Sequence, residues 1–241
     1  HTLLSNLMTI RKEQLRMSSR IGHVVVLGYE SSALPLLETL MEEFPEGEEP
    51  MVVLAPLEPV GGIPDRFTWV PGDPTKESEL DKVRLAHARA AVVMGRGRNR
   101  TLADADAVTL LTLFTIRSYM LKKDKAGLKR RIPLQVVAEV LDPENVEHAR
   151  VSGADEVVLT ARLGLSVLGH TVAMPGTGTA LDIVVSDPSQ KMFVGPVGDV
   201  LGTIPPTYRE LLRVMKEEHD VLVMGVQDPS TEIVTLNAAS D

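Results

Sequence analysis

The chain has 241 residues, 44% hydrophobic and 24% charged, with 25 Lys and Arg against 33 Asp and Glu for a net charge of −8. That is enough apolar material for a full core plus a smaller second unit, and the acidic balance argues against a nucleic-acid partner, which needs a concentrated basic face. Cysteine is absent and no two of the six histidines fall at HExxH or HxxxH spacing, so disulfide frameworks, thiolate nucleophiles and the common zinc sets drop out.

Residues 1–20 start at His1, as a piece cut from a longer protein would. Leu3, Leu4, Leu7, Met8 and Ile10 crowd together ahead of Arg11, Lys12, Arg16 and Arg20. Charges interrupt the run before about 18 apolar residues accumulate, so it is neither a signal peptide nor a span. An apolar stretch followed by basic residues is the trace of a membrane helix ending at the cytoplasmic face. A leader helix packed on the domain fits the same residues.

From His23 the pattern is strand, helix, strand, repeated. The predicted strands are His23–Leu27, Met51–Ala55, Phe67–Val70, Ala90–Met94, Leu134–Ala138 and Glu156–Leu159. Helices are expected over Ser31–Glu43, from Pro74 to Val83 with Asp73 as cap, over Ala103–Tyr119 and over Pro143–Ser152. Between Pro56 and Asp65, three prolines and two glycines replace one crossover helix. Two apolar helices, Ala161–Ala173 and Thr179–Ser186, then flank a break at MPGTG, Met174–Gly178. Their leucines and valines cover too many faces for a solvated helix, which predicts burial against another element or a second subunit. The remainder reads as strand Lys191–Val194, helix Tyr208–Glu217 and strands Val221–Val226 and Glu232–Leu236. The expected fold is α/β: a Rossmann-like doubly wound parallel sheet, a helical crossover and a small C-terminal α+β subdomain. The expected divisions are a linker over 1–20, the sheet lobe over 21–159, the crossover over 160–187 and the subdomain over 188–241.

Ligands of such sheets bind beyond the carboxyl ends of the strands. The candidate cleft residues are Gly28, Tyr29, Glu30, Ser31, Glu58, Asp73 and Arg96. Glu30 stands where a dinucleotide fingerprint has its second glycine, and its carboxylate is expected at the helix amino terminus that otherwise receives phosphate. The acid that should close the second strand is displaced to Glu58, so NAD in its usual extended pose is disfavoured. An adenine nucleotide in another pose stays open, because Arg96, Arg98 and Arg100 follow the fourth strand and could meet phosphate or an acidic neighbour. Calcium is the other candidate, with carboxylates at Glu139, Asp155, Asp182 and Asp187. Asp155 reads equally as a turn acid before a strand.

HVVVLGY at His23, GDPTKESELDKVRLAHARAAVVM at Gly72, VVAEVLDPENVEHARVSGADEVV at Val136 and the paired apolar helices together resemble the RCK domain, the regulator of potassium conductance, over about Ile21–Asp187. The resemblance implies a gate rather than a catalyst. It implies a homodimer through 161–186, assembly into a ring, a covalently attached potassium-channel pore reached through residues 2–20, and a place at the cytoplasmic side of the membrane. It also implies that Asp155, in the Gly-Ala-Asp turn, and Asp187 contribute to a metal site. Two other readings compete. A regulatory subunit of a Trk or Ktr-type transporter should begin almost at the first strand and keep a fuller glycine fingerprint. A nucleotide-dependent oxidoreductase would need a placed proton donor, and Tyr119 with Lys122 or Lys123 lacks a partner serine.

Overall fold

The computed structural model describes residues 21–44, 51–57, 61–95, 101–187, 194–202, 205, 207–228 and 234–238. The chain divides into two compact units, 1–190 and 191–241. The expected linker over 1–20 lies outside the described residues.

In the first unit, β1 (Val24–Leu27), β2 (Met51–Ala55), β3 (Phe67–Pro71), β4 (Ala90–Val93), β5 (Gln135–Val140) and β6 (Glu156–Leu159) form one sheet in the order β3-β2-β1-β4-β5-β6. Every pairing is parallel. The doubly wound sheet expected from the sequence is therefore present. The valine-rich runs suit it because central parallel strands are covered on both faces, and every residue of β1 and β2 is buried. Alternation along β1 sends Val25 and Leu27 to one core and Val24 and Val26 to the other. The first core gathers Leu80, Leu113 and Ile116; the second gathers Leu37, Phe67 and, from β2, Met51 and Val53.

Helix α1 (Leu34–Glu43) follows a 3-10 turn at Ser31–Ala33 and buries Leu37. Helix α2 (Glu77–Lys82) is shorter than expected. Asp73 does not cap it: its Oδ1 accepts from Thr75 N at 3.0 Å and Thr75 Oγ1 at 2.7 Å, closing a local turn that delays the helix until after Lys76. Helix α3 (Leu102–Lys125) is longer than expected. It opens on a capping box between Thr101 and Asp104, and Lys122, Lys123 and Lys125 extend it by complementing the negative end of its dipole. Helix α4 (Val146–Ser152) follows a 3-10 turn at Pro143–Asn145 and ends at Gly153, whose φ of 112° closes the helix at little steric cost.

Helices α5 (Thr160–Ala173) and α6 (Thr177–Ser186) follow β6. They are separated at Met174–Gly176, where the expected break falls, and Gly178 lies against Thr171: a Cβ there would sit 2.9 Å from Thr171 Oγ1.

The second unit contains α7 (Val197–Leu201), α8 (Tyr208–His219) and an antiparallel pair, β7 (Gly225–Gln227) with β8 (Val234–Leu236). Thr207 caps α8 through Glu210 N, and Leu211 and Met215 form its buried face. The expected strand at 191–194 falls on residues that lie outside the description, save Val194, which is not in a strand. The expected strand at 221–226 is reduced to Gly225–Gln227, and α7 was not foreseen.

Candidate functional site

The order of strands reverses between β1 and β4, and this is where an open parallel sheet leaves a crevice. The turn leaving β1 is fixed there by backbone bonds. Gly28 N donates to Leu54 O at 2.9 Å and Met94 N donates to Leu27 O at 2.9 Å. Gly28 has φ 81°, and a Cβ on it would lie 2.0 Å from Met94 O. Both the backbone conformation and the space exclude a larger residue.

Tyr29 is buried in the second core, and burial, followed by the charge of Glu38, raises its phenol pKa. Glu30 is half-buried and extended, with φ −131° and ψ 152°. The expected seat of its carboxylate on the helix amino terminus is not observed. Glu30 makes no side-chain cap, and the 3-10 turn containing Ser31 separates it from α1, whose N-cap position is Ala33.

The second turn of the crevice follows β3. Gly72 N donates to Ala55 O at 3.1 Å, so the last two carbonyls of β2 hold the turns of both Gly28 and Gly72. Asp73 follows, occupied by Thr75 and by Lys76 Nζ at 3.5 Å. Burial acts to raise its pKa, but the hydrogen bonds from Thr75 and Lys76 and the Lys76 charge outweigh it, leaving the carboxyl below its usual range. Glu58 and Arg96, with Arg98 and Arg100, lie outside the described residues.

Asp106 is a site residue that the sequence reading missed. It is buried on the first turns of α3 and accepts from Leu141 N, Asp142 N and Asn145 Nδ2 at 2.9, 2.9 and 2.8 Å. The loop leaving β5 is thus fastened beside the crevice by one fully occupied carboxylate. Gly95 permits the close fit, because a Cβ there would fall 1.6 Å from Ala105 O. A signal was present in ADADA at Ala103–Ala107: with Asp104 used outward in the capping box, Asp106 two residues on points to the other side of the helix.

The candidate metal residues are dispersed. Asp155 N donates to Val136 O at 2.8 Å, and Asp155 Oδ2 accepts from Val136 N at 2.7 Å, a clasp at the amino-terminal edge of the sheet. Glu139 is three residues further along β5, roughly 10 Å at the strand rise, and accepts from Thr160 Oγ1 at 2.5 Å. Asp182 accepts from Ser186 Oγ at 3.2 Å, and Asp187 is the C-cap of α6. Among the described residues no three His, Asp or Glu side chains are grouped to hold a metal ion. Among the described residues Asp155 and Asp187 are not members of such a group, and the Asp155 carboxylate is engaged by Val136 N.

Tyr119, weighed as a proton donor, is also far along α3 from the crevice. It is buried and donates to Asp81 Oδ1 at 2.7 Å. The crossover helices α5 and α6 bury no residue, and Leu163, Leu165, Leu168, Val172, Ile183 and Val185 are exposed, Val172 to 86%. So much uncovered apolar surface on adjoining helices is unusual for a finished protein surface.

No family model matches the chain. A calcium-gated potassium channel of Thermoplasma volcanium, TvoK, is 25% identical over 179 residues, 73% of this chain and 47% of the channel. The chain therefore spans about half the length of that curated relative. The human SLO3 gating ring superposes with a TM-score of 0.58 over 90% of this chain and 41% of that one, at 12% identity. A GsuK channel bound to NAD gives a TM-score of 0.43 over 60% of this chain and 22% of that one, at 21% identity. The sheet and its switch point define a Rossmann-like fold. The similarity to the channel sequence extends over most of this chain.

Proposed function

We propose that this chain is the ligand-sensing regulatory domain of a potassium channel, acting at the cytoplasmic side of the membrane and converting binding into movement of an attached pore. The observation that carries the reading is the 25% identity to a calcium-gated potassium channel across 73% of this chain. The uncovered apolar face of α5 and α6 supports it, since two copies joined there would bury that face and form the repeating unit of a ring. The break at Gly176, with φ 97°, gives a place where the angle between paired copies can change.

The ligand must bind one arrangement better than the other, because equal affinity shifts nothing. An adenine nucleotide would enter at Gly28, Tyr29, Ser31 and Asp73. NAD in its extended pose is disfavoured by Glu30 in place of the second fingerprint glycine. Calcium would require carboxylates beyond the described residues of one copy, and a dimer or ring can supply them from a neighbour. Residues 2–20 would couple the domain to the pore.

The test of the sensing role is thermal unfolding of the 241-residue chain with calcium, magnesium, sodium, ADP, ATP and NAD. A ligand at 100 times its Kd stabilises the native state by about 2.7 kcal/mol. A rise in Tm with calcium or an adenine nucleotide supports the reading, and no rise with any of the six contradicts it.

A further inference from the structure

At the amino-terminal edge of the sheet, opposite the crevice, is a cavity of about 610 Å³ whose wall includes Asp81, Arg84, His87, Tyr119, Lys123 and Leu128. It is formed where the end of α2 and the 3-10 turn Leu85–His87 meet the last turns of α3. The volume suits a small molecule.

The residues lining the cavity include two fixed cations, Arg84 and Lys123. Asp81 is the one carboxylate among the residues lining the cavity, and it is shared by the Tyr119 hydroxyl and by Lys123 Nζ, each at 2.7 Å. Beneath the turn, the Arg130 guanidinium donates to Ala86 O, to Ala88 O and, at 3.1 Å, to Ile132 O; among the described residues it meets no carboxylate. The Ala86 and Ala88 carbonyls flank His87, so the guanidinium is tied to the backbone on either side of that residue. The His87 imidazole is half-buried and makes no side-chain hydrogen bond among the described residues. Burial, then the charges of Arg84, Arg130 and Lys123, hold its pKa below the ordinary histidine value.

Arg84 adds a second, independent sign. Its backbone is left-handed, φ 49° and ψ 42°, a conformation that glycine or asparagine adopts at lower cost. An arginine kept in a strained position is a reason to look for work done by its side chain.

We infer that this cavity is a binding site for a phosphate-bearing small molecule, with Arg84, His87 and Lys123 as its contacts. A guanidinium and an ammonium supply charge-assisted donors, and an imidazole that is neutral in the empty cavity becomes a third donor when the bound dianion restores its proton. Arg130 holds the turn and the field, and Asp81 orients Lys123. The groups facing His87 are Asp81 from α2, Arg84 from the turn, Lys123 from α3 and Arg130 from the segment before β5. The site is separate from the crevice and does not depend on what binds there.

The experiment follows the His87 ring by NMR in the 241-residue chain during titration with inorganic phosphate, pyrophosphate or ADP, at ionic strength held constant with sodium chloride. The expected result is a saturable shift of the His87 signals and a rise in its titration midpoint, with the phosphate-only and nucleotide arms distinguishing a free anion from a larger ligand. Arg84→Gly removes the guanidinium while suiting φ 49°, so it retains the fold and should weaken binding about tenfold or more. Lys123→Gln should weaken it similarly. An unmoved His87 ring in all three arms, an equal response to chloride alone, or undiminished binding by a folded Arg84→Gly chain overturns the inference.

Discussion

Asp106 on α3 and Asn145 in the turn before α4 are joined at 2.8 Å through the asparagine amide, across 39 residues of sequence. The same carboxylate holds Leu141 N and Asp142 N, so removing it strands three donors at once. Asp106→Ala is expected to cost at least about 3 kcal/mol, since each buried donor left without an acceptor costs about 1–3 kcal/mol. Urea unfolding checks this, and a loss below about 1 kcal/mol contradicts the assigned role.

Gly28 and Met94 give a second stability prediction. Gly28→Ala places a methyl 2.0 Å from the backbone carbonyl that follows β4, where neither atom can yield without shifting the sheet. A loss of about 2–3 kcal/mol or more is expected from overpacking added to positive φ. Gly62→Ala serves as the comparison: φ is 79° but no atom lies within 4 Å, so only the backbone cost of about 1 kcal/mol should appear. Equal losses at the two positions, read by the same urea unfolding, would show that the close approach is unimportant.

Alkaline pH should expose the Tyr119–Asp81 contact. Burial, followed by the hydrogen bond and charge of Asp81, raises the Tyr119 pKa well above that of a free phenol. The unfolded chain then loses this proton first, so the stabilisation is complete below about pH 10 and declines as pH rises from there toward the native value. Tyr119→Phe should flatten that decline in unfolding free energy measured between neutral and alkaline pH. Tyr29, whose pKa burial also raises, will account for a remaining slope.

The uncovered helices yield a prediction about assembly. Leu165 is 69% exposed and Leu168 64%, and both lie on α5. If two copies join there, Leu165→Asp or Leu168→Asp puts a charge into an apolar interface and produces monomers. Sedimentation velocity reads this directly. Variants that retain the oligomer of the unaltered chain would place the interface elsewhere.

Much of the sheet was legible because its signal is short-range. MVVLA at Met51 and the VVL that follows Glu156 are short valine-rich apolar runs, and both strands have the expected limits. The length of α3 was not legible from apolar spacing, which ends at Leu121, because Lys122 and Lys123 in its last turn are engaged by Glu77 and Asp81 of α2, partners distant in sequence. The role of Asp73 was hidden for a related reason: Asp-Pro-Thr encodes both a helix start and a closed turn, and only the Thr75 hydroxyl's position decides. Glu30 shows the limit at the site itself. Its place in the glycine fingerprint could be counted in the sequence, but the 3-10 turn at Ser31–Ala33 that stands between it and α1 carries no comparable pattern in the sequence.

Potassium flux into liposomes containing the full-length protein that bears this chain is the most direct test of the regulatory reading. Flux that changes with calcium or an adenine nucleotide, and loses that dependence in Leu165→Asp, is the result expected. Absence of potassium flux, or flux indifferent both to every ligand and to the substitution, would contradict it.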